Sequence, residues 1–268
     1  LAARGMDEAM TWSFISTDLA EAFGGGTPQL RLANAIASDM TDMRPSLLPG
    51  LLSGAARNGN RGFDDVALYE VGQVFFSDAP EGQRTHATGI RTGTSRFTGA
   101  GRHWQGRAEK VGVYDAKADI GAALDALGVD IDKVQVVAEP ASWSHPGRGG
   151  RIQLGPKVIL GWFGELHPSM AEKFDLDGPV AAFEIDLDAL PEPRKKATRA
   201  KPALALSTLQ PVRRDFAFVV ETDVEAANIL RAAKGADKTL VTEVTIFDVF
   251  SGAHVGEGNK SVAIEVTL

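Results

Sequence analysis

The sequence predicts an α+β protein in two units, a mixed unit over residues 1–190 and a smaller split βαβ unit over 205–268. Three observations carry this. Strand-like and helix-like segments are interspersed through the first 190 residues. A basic stretch bracketed by Pro191, Pro193 and Pro202 then interrupts the pattern, giving a linker over 191–204. Beyond it the order is β-α-β-β, the first two-thirds of a split βαβ fold.

Composition narrows the class. With 268 residues, 44% hydrophobic and 24% charged, the chain is long enough for a substantial core and carries no disorder signature. It lacks cysteine, which excludes disulfides and thiolate metal sites. No apolar run approaches the roughly 18 residues of a membrane span, and the first residues form no signal segment. The chain opens on Leu1 without Met and so reads as a fragment. A net charge of −7 argues against nucleic-acid binding over the whole surface. Positive charge gathers in the linker, where residues 191–204 hold five basic and one acidic side chain. A solvated tether is expected there, with a phosphate-contacting strap as the alternative.

Taken in order, Leu1 to Gly5 end a helix at glycine, and Glu8 to Ile15 favour a strand. Ser16 or Thr17 caps a short helix, Asp18 to Phe23, stopped by Gly24-Gly25-Gly26. No Lys-Ser/Thr follows that triplet, so it is expected to be a turn and not a phosphate loop. From Leu30 an apolar strand meets a polar turn. A helix then starts with Ser46 as cap and Pro49 in its first turn, and runs to about Asn58. Its Leu47, Leu48, Leu51 and Leu52 share one buried face. Strands follow at Leu68–Phe75 and Ala87–Thr92, with Asp78 to Gly82 as the turn between them. Residues 93–107 read as a surface loop anchored by Trp104. Gly121 to Gly128 form a helix with Ile120, Leu124 and Leu127 on one face, and Val134 to Val137 form a strand. Val158 to Leu166 is a buried strand entering a helix that ends at Phe174, and residues 178–190 are a strand with a short helix. In the second unit the strands are Arg213–Val220, Leu240–Phe250 and Lys260–Leu268, and the helix is Val224–Ala233.

Chemistry-bearing residues are few. His145 and Arg148 suggest a base and an anion clamp, but no neighbouring carboxylate orients the imidazole and Pro146-Gly147 suits a turn. Glu165 and His167 fall on opposite faces of a strand, which disfavours a metal pair. Lys117 is expected to pair locally at a helix entrance. On the smaller unit, Glu243, Thr245 and Phe247 with Ser261, Ala263, Glu265 and Thr267 form a mostly polar sheet face with an aromatic, which suits base stacking. Its glutamates repel phosphate.

Several words in fixed order carry a resemblance. They are Asn34-x-Ile36-x-Ser38-Asp39, Met43-Arg44-x-Ser46-Leu47-Leu48-Pro49-x-Leu51-Leu52, Tyr69-Glu70-Val71-Gly72-x-Val74-Phe75, His145-Pro146-Gly147-Arg148 and Gly161-x-x-Gly164-Glu165-Leu166-His167-Pro168. Together the chain resembles the C-terminal part of the β subunit of bacterial phenylalanyl-tRNA synthetases, over nearly its whole length. Ala35 stands where that family usually has proline. The resemblance implies a class II synthetase-like core over 1–190, an antiparallel sheet with flanking helices, catalytically degenerate. It implies a ferredoxin-fold anticodon-binding domain over 205–268 whose last helix and strand are missing, leaving a sheet edge unpaired. Adenylate chemistry in such a core needs two phosphate-clamping arginines. Leu187 stands at about the position of one, and no Phe-Arg-x-Glu word precedes the other at Tyr69-Glu70, so no catalytic or metal residue is assigned.

The further implications are a cytoplasmic protein, away from membranes, that packs on a catalytic α subunit in an α2β2 heterotetramer and holds tRNA(Phe). ATP and Mg2+ serve the whole enzyme and are not bound by this chain. Arg213, Arg214 and Lys260 are the expected tRNA contacts, and helix 46–58 is the expected subunit interface. The alternatives are a free-standing RNA-binding or regulatory module, and a self-sufficient synthetase, which the absent arginines oppose.

Overall fold

The computed structural model describes residues 1–95, 102–103, 106–107, 109–192, 203 and 210–268. The chain divides into two compact units, Leu1–Lys195 and Lys196–Leu268. The basic linker lies almost wholly outside the described residues, as does Trp104.

The first unit is organised by a seven-stranded sheet. Its strands are β1 (Asp7–Glu8), β4 (Ala67–Phe75), β5 (Gln83–Arg91), β8 (Gln135–Val137), β9 (Ser144–Leu154), β10 (Val158–Leu166) and β11 (Ala181–Asp186). Their spatial order is β1-β4-β5-β11-β10-β9-β8. Only the β1–β4 pairing is parallel, and every other neighbour in the sheet is antiparallel. Two small ladders stand apart from it, β2 (Phe14–Ile15) with β3 (Asp42–Met43), and β6 (Arg102–His103) with β7 (Gly106–Arg107).

Each face of the sheet carries one long helix. The helix α3 (Val113–Ala126) lays Ala116, Ile120 and Leu124 on Phe163, Phe183 and Ile185, all buried. The helix α2 (Leu48–Gly59) lays Leu48, Leu51, Leu52 and Ala55 on Ile90, Leu166 and Ala182 on the opposite face. Leu47, Leu48, Leu51 and Leu52 are each 0% exposed. The cap position is Leu47, one residue beyond the expected Ser46, whose hydroxyl still accepts the Leu48 N–H at 3.1 Å, and Pro49 sits in the first turn as the sequence predicts. The short helix α1 (Thr17–Ala22) is capped by Ser16, and α4 (Pro168–Lys173) by the His167 ring, whose Nδ1 accepts the Ser169 N–H at 3.2 Å.

Four expectations change. The segment 8–15 is not one strand: β1 joins the large sheet and β2 joins β3, with residues 9–13 passing beneath α2's first turn. There a Cβ on Gly50 would lie only 2.2 Å from Thr11 Oγ1, so the close approach requires glycine at position 50. The apolar strand expected from Leu30 is reduced to the single bridge Arg31–Asp42. The helix expected from Gly121 starts at Val113, because Asp115 in its first turn accepts the Gly112 N–H at 2.9 Å and closes the helix start eight residues earlier. Leu127 follows its last turn and is 47% exposed. The expected turn at Pro146-Gly147 lies inside β9, bulged out where five steps, Ser144 to Gly149, face two, Leu166 to Gly164.

The second unit has β12 (Arg213–Glu221), α5 (Ala226–Ala236), β13 (Glu243–Phe250) and β14 (Asn259–Thr267). Strand β14 lies between the other two, antiparallel to both, which is the split βαβ order. Helix α5 packs Ile229, Leu230 and Ala233 on Val244, Val262, Ile264 and Val266. Phe216 and Phe218 on edge strand β12 are 47% and 44% exposed. Between α5 and β13, Asp237 accepts from the Thr239 hydroxyl, the Thr239 N–H and the Leu240 N–H, which holds its carboxyl below the ordinary value of 3.8.

Two predictions follow from these contacts. Leu52→Ala should destabilise the first unit by about 2–5 kcal/mol, while Leu127→Ala costs under about 1 kcal/mol, compared by urea denaturation. Because the Asp237 carboxyl titrates lower when folded than when unfolded, its stabilisation is fully present above pH 3.8 and fades as pH falls through the lowered value. Acid unfolding of Asp237→Asn should therefore show a shallower pH dependence than that of the parent.

Candidate functional site

Directly opposed residues of an antiparallel sheet share a face. Across the face covered by α2 this gives one row, Glu70–Thr88–Glu184–Trp162–Arg151, on strands β4, β5, β11, β10 and β9. The row is polar inside an otherwise apolar face, and the chain's own side chains satisfy it. Glu70, 4% exposed, receives Arg44 Nη1 at 2.8 Å on one oxygen and the Thr11 hydroxyl at 2.6 Å on the other. Arg44, also 4% exposed, gives Nε–H to the Gln73 carbonyl at 2.9 Å and a second Nη1 bond to Thr11 Oγ1 at 2.9 Å. Glu184 takes the Ser46 hydroxyl at 2.9 Å and His86 Nδ1–H at 3.1 Å on a single oxygen, with Thr88 Oγ1 at 3.5 Å. His86 Nε2 is buried with no hydrogen-bond partner among the described residues.

Chemically this stripe has the wrong sign for phosphate. Its buried centre holds two carboxylates, Glu70 and Glu184, and the one guanidinium in contact with them, Arg44, is bound to Glu70 and to backbone. Leu187 follows on a 3-10 turn after β11 and adds no charge. Sequence reasoning missed Thr11, Ser46 and His86 as partners in this stripe. The Ser46 to Glu184 bond spans 138 residues, and no spacing rule reaches that far.

The other candidates fall elsewhere. Arg148 pairs with Glu165 at 2.8 Å across the bulge, and the His145 and His167 rings stack with centroids 6.5 Å apart. The carboxylate partner absent from the local sequence thus comes from β10, but it engages Arg148 and leaves His145 to accept the Gly147 N–H at 3.1 Å. Among the described residues no group of three or more His, Asp or Glu is placed to hold a metal. Lys117 is exposed and has no ion-pair partner among the described residues, so its expected local pairing is absent. The groove beside α2 is lined by Met10, Trp12, Pro49, Gly50, Ser53 and Arg57, with a volume near 340 Å3. Met10 and Trp12 are 95% and 66% exposed. The leucine face of α2 is spent on its own core, so the apolar excess expected to mark 46–58 as an interface is internal, and only the helix's outer side is open.

On the second unit the face opposite α5 contains Arg213, Asp215, Ala217, Val219 and Glu221 of β12 beside Thr267, Glu265, Ala263, Ser261 and Asn259 of β14. On β13 it contains Glu243 and Thr245, and past a bulge between Ile246 and Asp248 it contains Asp248 opposite Ala263 and Phe250 opposite Ser261. The aromatic expected there, Phe247, sits in the bulge at 59% exposure. This face is therefore more acidic than the sequence suggests, with Arg213 near Glu265 at 3.7 Å. Arg214 and Lys260 belong to the face that carries α5. Lys260 gives a hydrogen bond to the Thr222 carbonyl at 2.9 Å, and it pairs with Val220, seven residues along β12 from Arg213, roughly 23 Å. The three basic residues do not converge.

The family model for the phenylalanyl tRNA synthetase beta chain CLM domain matches residues 1–187, and that for the ferredoxin-fold anticodon binding domain matches 207–268. Among curated proteins the chain is similar to the phenylalanine–tRNA ligase beta subunits of Brucella abortus, 56% identical, and of Mesorhizobium japonicum, 53% identical. Each match covers the whole chain and 33% of the relative, so the chain spans about a third of their length. Among solved structures a pyrrolysyl-tRNA synthetase of Desulfitobacterium hafniense is similar in fold, with TM-score 0.50, 16% identity, 70% of this chain and 60% of that one covered.

If the buried stripe is held by its ion pair, Arg44→Met should destabilise the first unit by about 3–5 kcal/mol by stranding Glu70. Adding Glu70→Leu should restore about half of that loss in a double-mutant cycle read by chemical denaturation.

Proposed function

The chain belongs to the phenylalanyl-tRNA synthetase β-chain family, and on that footing we propose that it works as the non-catalytic β part of a phenylalanine–tRNA ligase. The observation that carries this is the pairing of the two family domains in one chain, in this order. In this role the first unit is a degenerate class II core. It supports ATP-dependent attachment of phenylalanine to tRNA(Phe) by packing on a catalytic α subunit in an α2β2 assembly in the cytoplasm. ATP and Mg2+ act in the partner and not on this chain. The carboxylates of the Glu70–Glu184 stripe favour that division of labour, since adenylate formation needs positive charge around its phosphates.

The α subunit docks on the outer side of α2, where Met10 and Trp12 stand exposed beside Pro49, Gly50 and Ser53. The second unit contacts tRNA from its rim. Arg213 at one end of the sheet and Lys260 at the other touch separate phosphates, and Arg214 adds a third contact beside Arg213. Two tests separate these roles. The chain alone should give no phenylalanine-dependent pyrophosphate exchange yet co-purify with the α subunit, and Met10→Ser with Trp12→Ser should weaken that complex. Failure to co-purify, or exchange by the chain alone, would overturn the proposal. Arg213→Ala and Lys260→Ala should each lower tRNA affinity about 2–5-fold and reduce the salt slope by about one.

A further inference from the structure

A second polar cluster lies on the sheet's other face, away from the Glu70–Glu184 stripe. Asp119 on α3, 1% exposed, is gripped by Arg91 at the end of β5 through Nε at 2.5 Å and Nη2 at 3.1 Å. That two-pronged contact already neutralises the carboxylate. A second guanidinium, Arg4, nevertheless also binds Asp119, through Nε at 2.5 Å, and its carbonyl takes Arg91 Nη2–H at 2.9 Å. Two positive charges thus meet one negative charge. Arg91 Nη1 and both terminal nitrogens of Arg4 have no acceptor among the described residues. Arg4, Arg91, Thr92 and Thr94 line a cavity of about 330 Å3. Asp65 also lines it, but it is solvent-exposed and its Oδ1 accepts the Thr94 N–H and hydroxyl at 2.7 and 3.0 Å.

We propose that this cavity binds a phosphate group through Arg4 and Arg91. Both guanidiniums are locked in place by Asp119, so little side-chain freedom is lost when an anion arrives. N–H groups from two differently placed forks suit a tetrahedral oxyanion better than a planar carboxylate, which one fork satisfies. The cavity is larger than one phosphate, leaving room for what the phosphate is attached to. An RNA backbone phosphate is one source, which rests on the tRNA-holding role proposed above. A small free phosphate or mononucleotide is the other.

The test titrates the full chain with inorganic phosphate at low ionic strength, followed by calorimetry and 31P line broadening. Saturable binding in about the millimolar range is expected, weakened about tenfold by Arg4→Gln, which leaves the Arg91–Asp119 pair intact. Asp65→Asn, which removes the opposing charge, should tighten it about two- to threefold. No saturable binding by the parent chain, or binding unchanged in both variants, overturns the proposal. Titration with tRNA and with AMP then identifies the source. Loss of tRNA affinity in Arg4→Gln, with competition by phosphate, assigns the cavity to RNA backbone. Unchanged tRNA affinity with weakened AMP binding assigns it to a small phosphate. If the parent binds phosphate but no tRNA, the cavity stands and the tRNA-holding role fails.

Discussion

The buried pair between Arg44 and Glu70 fixes the layout of the first unit. Two charges at 4% exposure are tolerable only when they are paired and hydrogen-bonded. Meeting that demand pulls in three separate stretches: Thr11 from the segment between β1 and β2, Arg44 from the approach to α2, and Glu70 with the Gln73 carbonyl from β4. The backbone reinforces the same junction, with Arg44 N–H on the Ser13 carbonyl and Phe75 N–H on the Arg44 carbonyl, each at 3.0 Å. From this junction α2 follows, and its leucines meet Ile90 and Ala182.

Close approach is the cost of that junction, and two glycines meet it. A Cβ at Gly72 would lie 2.7 Å from Arg44 Nη2, and one at Gly50 would meet Thr11. This explains physically why Arg44, Ser46, Glu70 and Gly72 occur as linked words in the sequence. Arg44, Glu70 and Gly72 are parts of one contact, where a change leaves a buried charge unpaired or a guanidinium displaced, and Ser46 bonds Glu184 in the same polar row. A resemblance resting on these words is therefore also a statement about three-dimensional structure.

Legibility in the sequence followed the range of the forces involved. Local devices were readable: the Ser16 cap, Pro49 in the first turn of α2, the leucine face of that helix, and the β-α-β-β order of the second unit. Elements decided by one non-periodic contact were misread. Val113 to Ile120 has no strong apolar stripe, and only the Asp115 carboxylate on Gly112 N–H marks the helix start. Residues 8–15 look like a strand, yet the need to present Thr11 to both Arg44 and Glu70 breaks them in two. Long-range polar partners such as Ser46 with Glu184, or Arg4 with Asp119 across 115 residues, leave no trace in spacing. The bulge at Phe247 likewise inverted the expected alternation at the end of β13.

The two faces of the large sheet show how one scaffold separates structural charge from available charge. Beneath α2, Arg44 faces one carboxylate, Glu70, with backbone and a hydroxyl as its other acceptors, so that pair is balanced in charge. Beneath α3, Asp119 is satisfied by one guanidinium and receives two, so positive charge is left over where the side chains reach a cavity. Arginine content alone does not distinguish these cases, since Arg44 and Arg91 are comparably buried, 4% and 7% exposed. What separates them is the balance of charge: Glu70 faces one guanidinium and Asp119 faces two. By the same measure Arg213 is partly spent on Glu265, and the five carboxylates on its sheet face oppose a polyanion lying flat across it. Arg214 and Lys260 lie on the opposite face, that of α5, at different strand positions, and so are removed from that acidic surface.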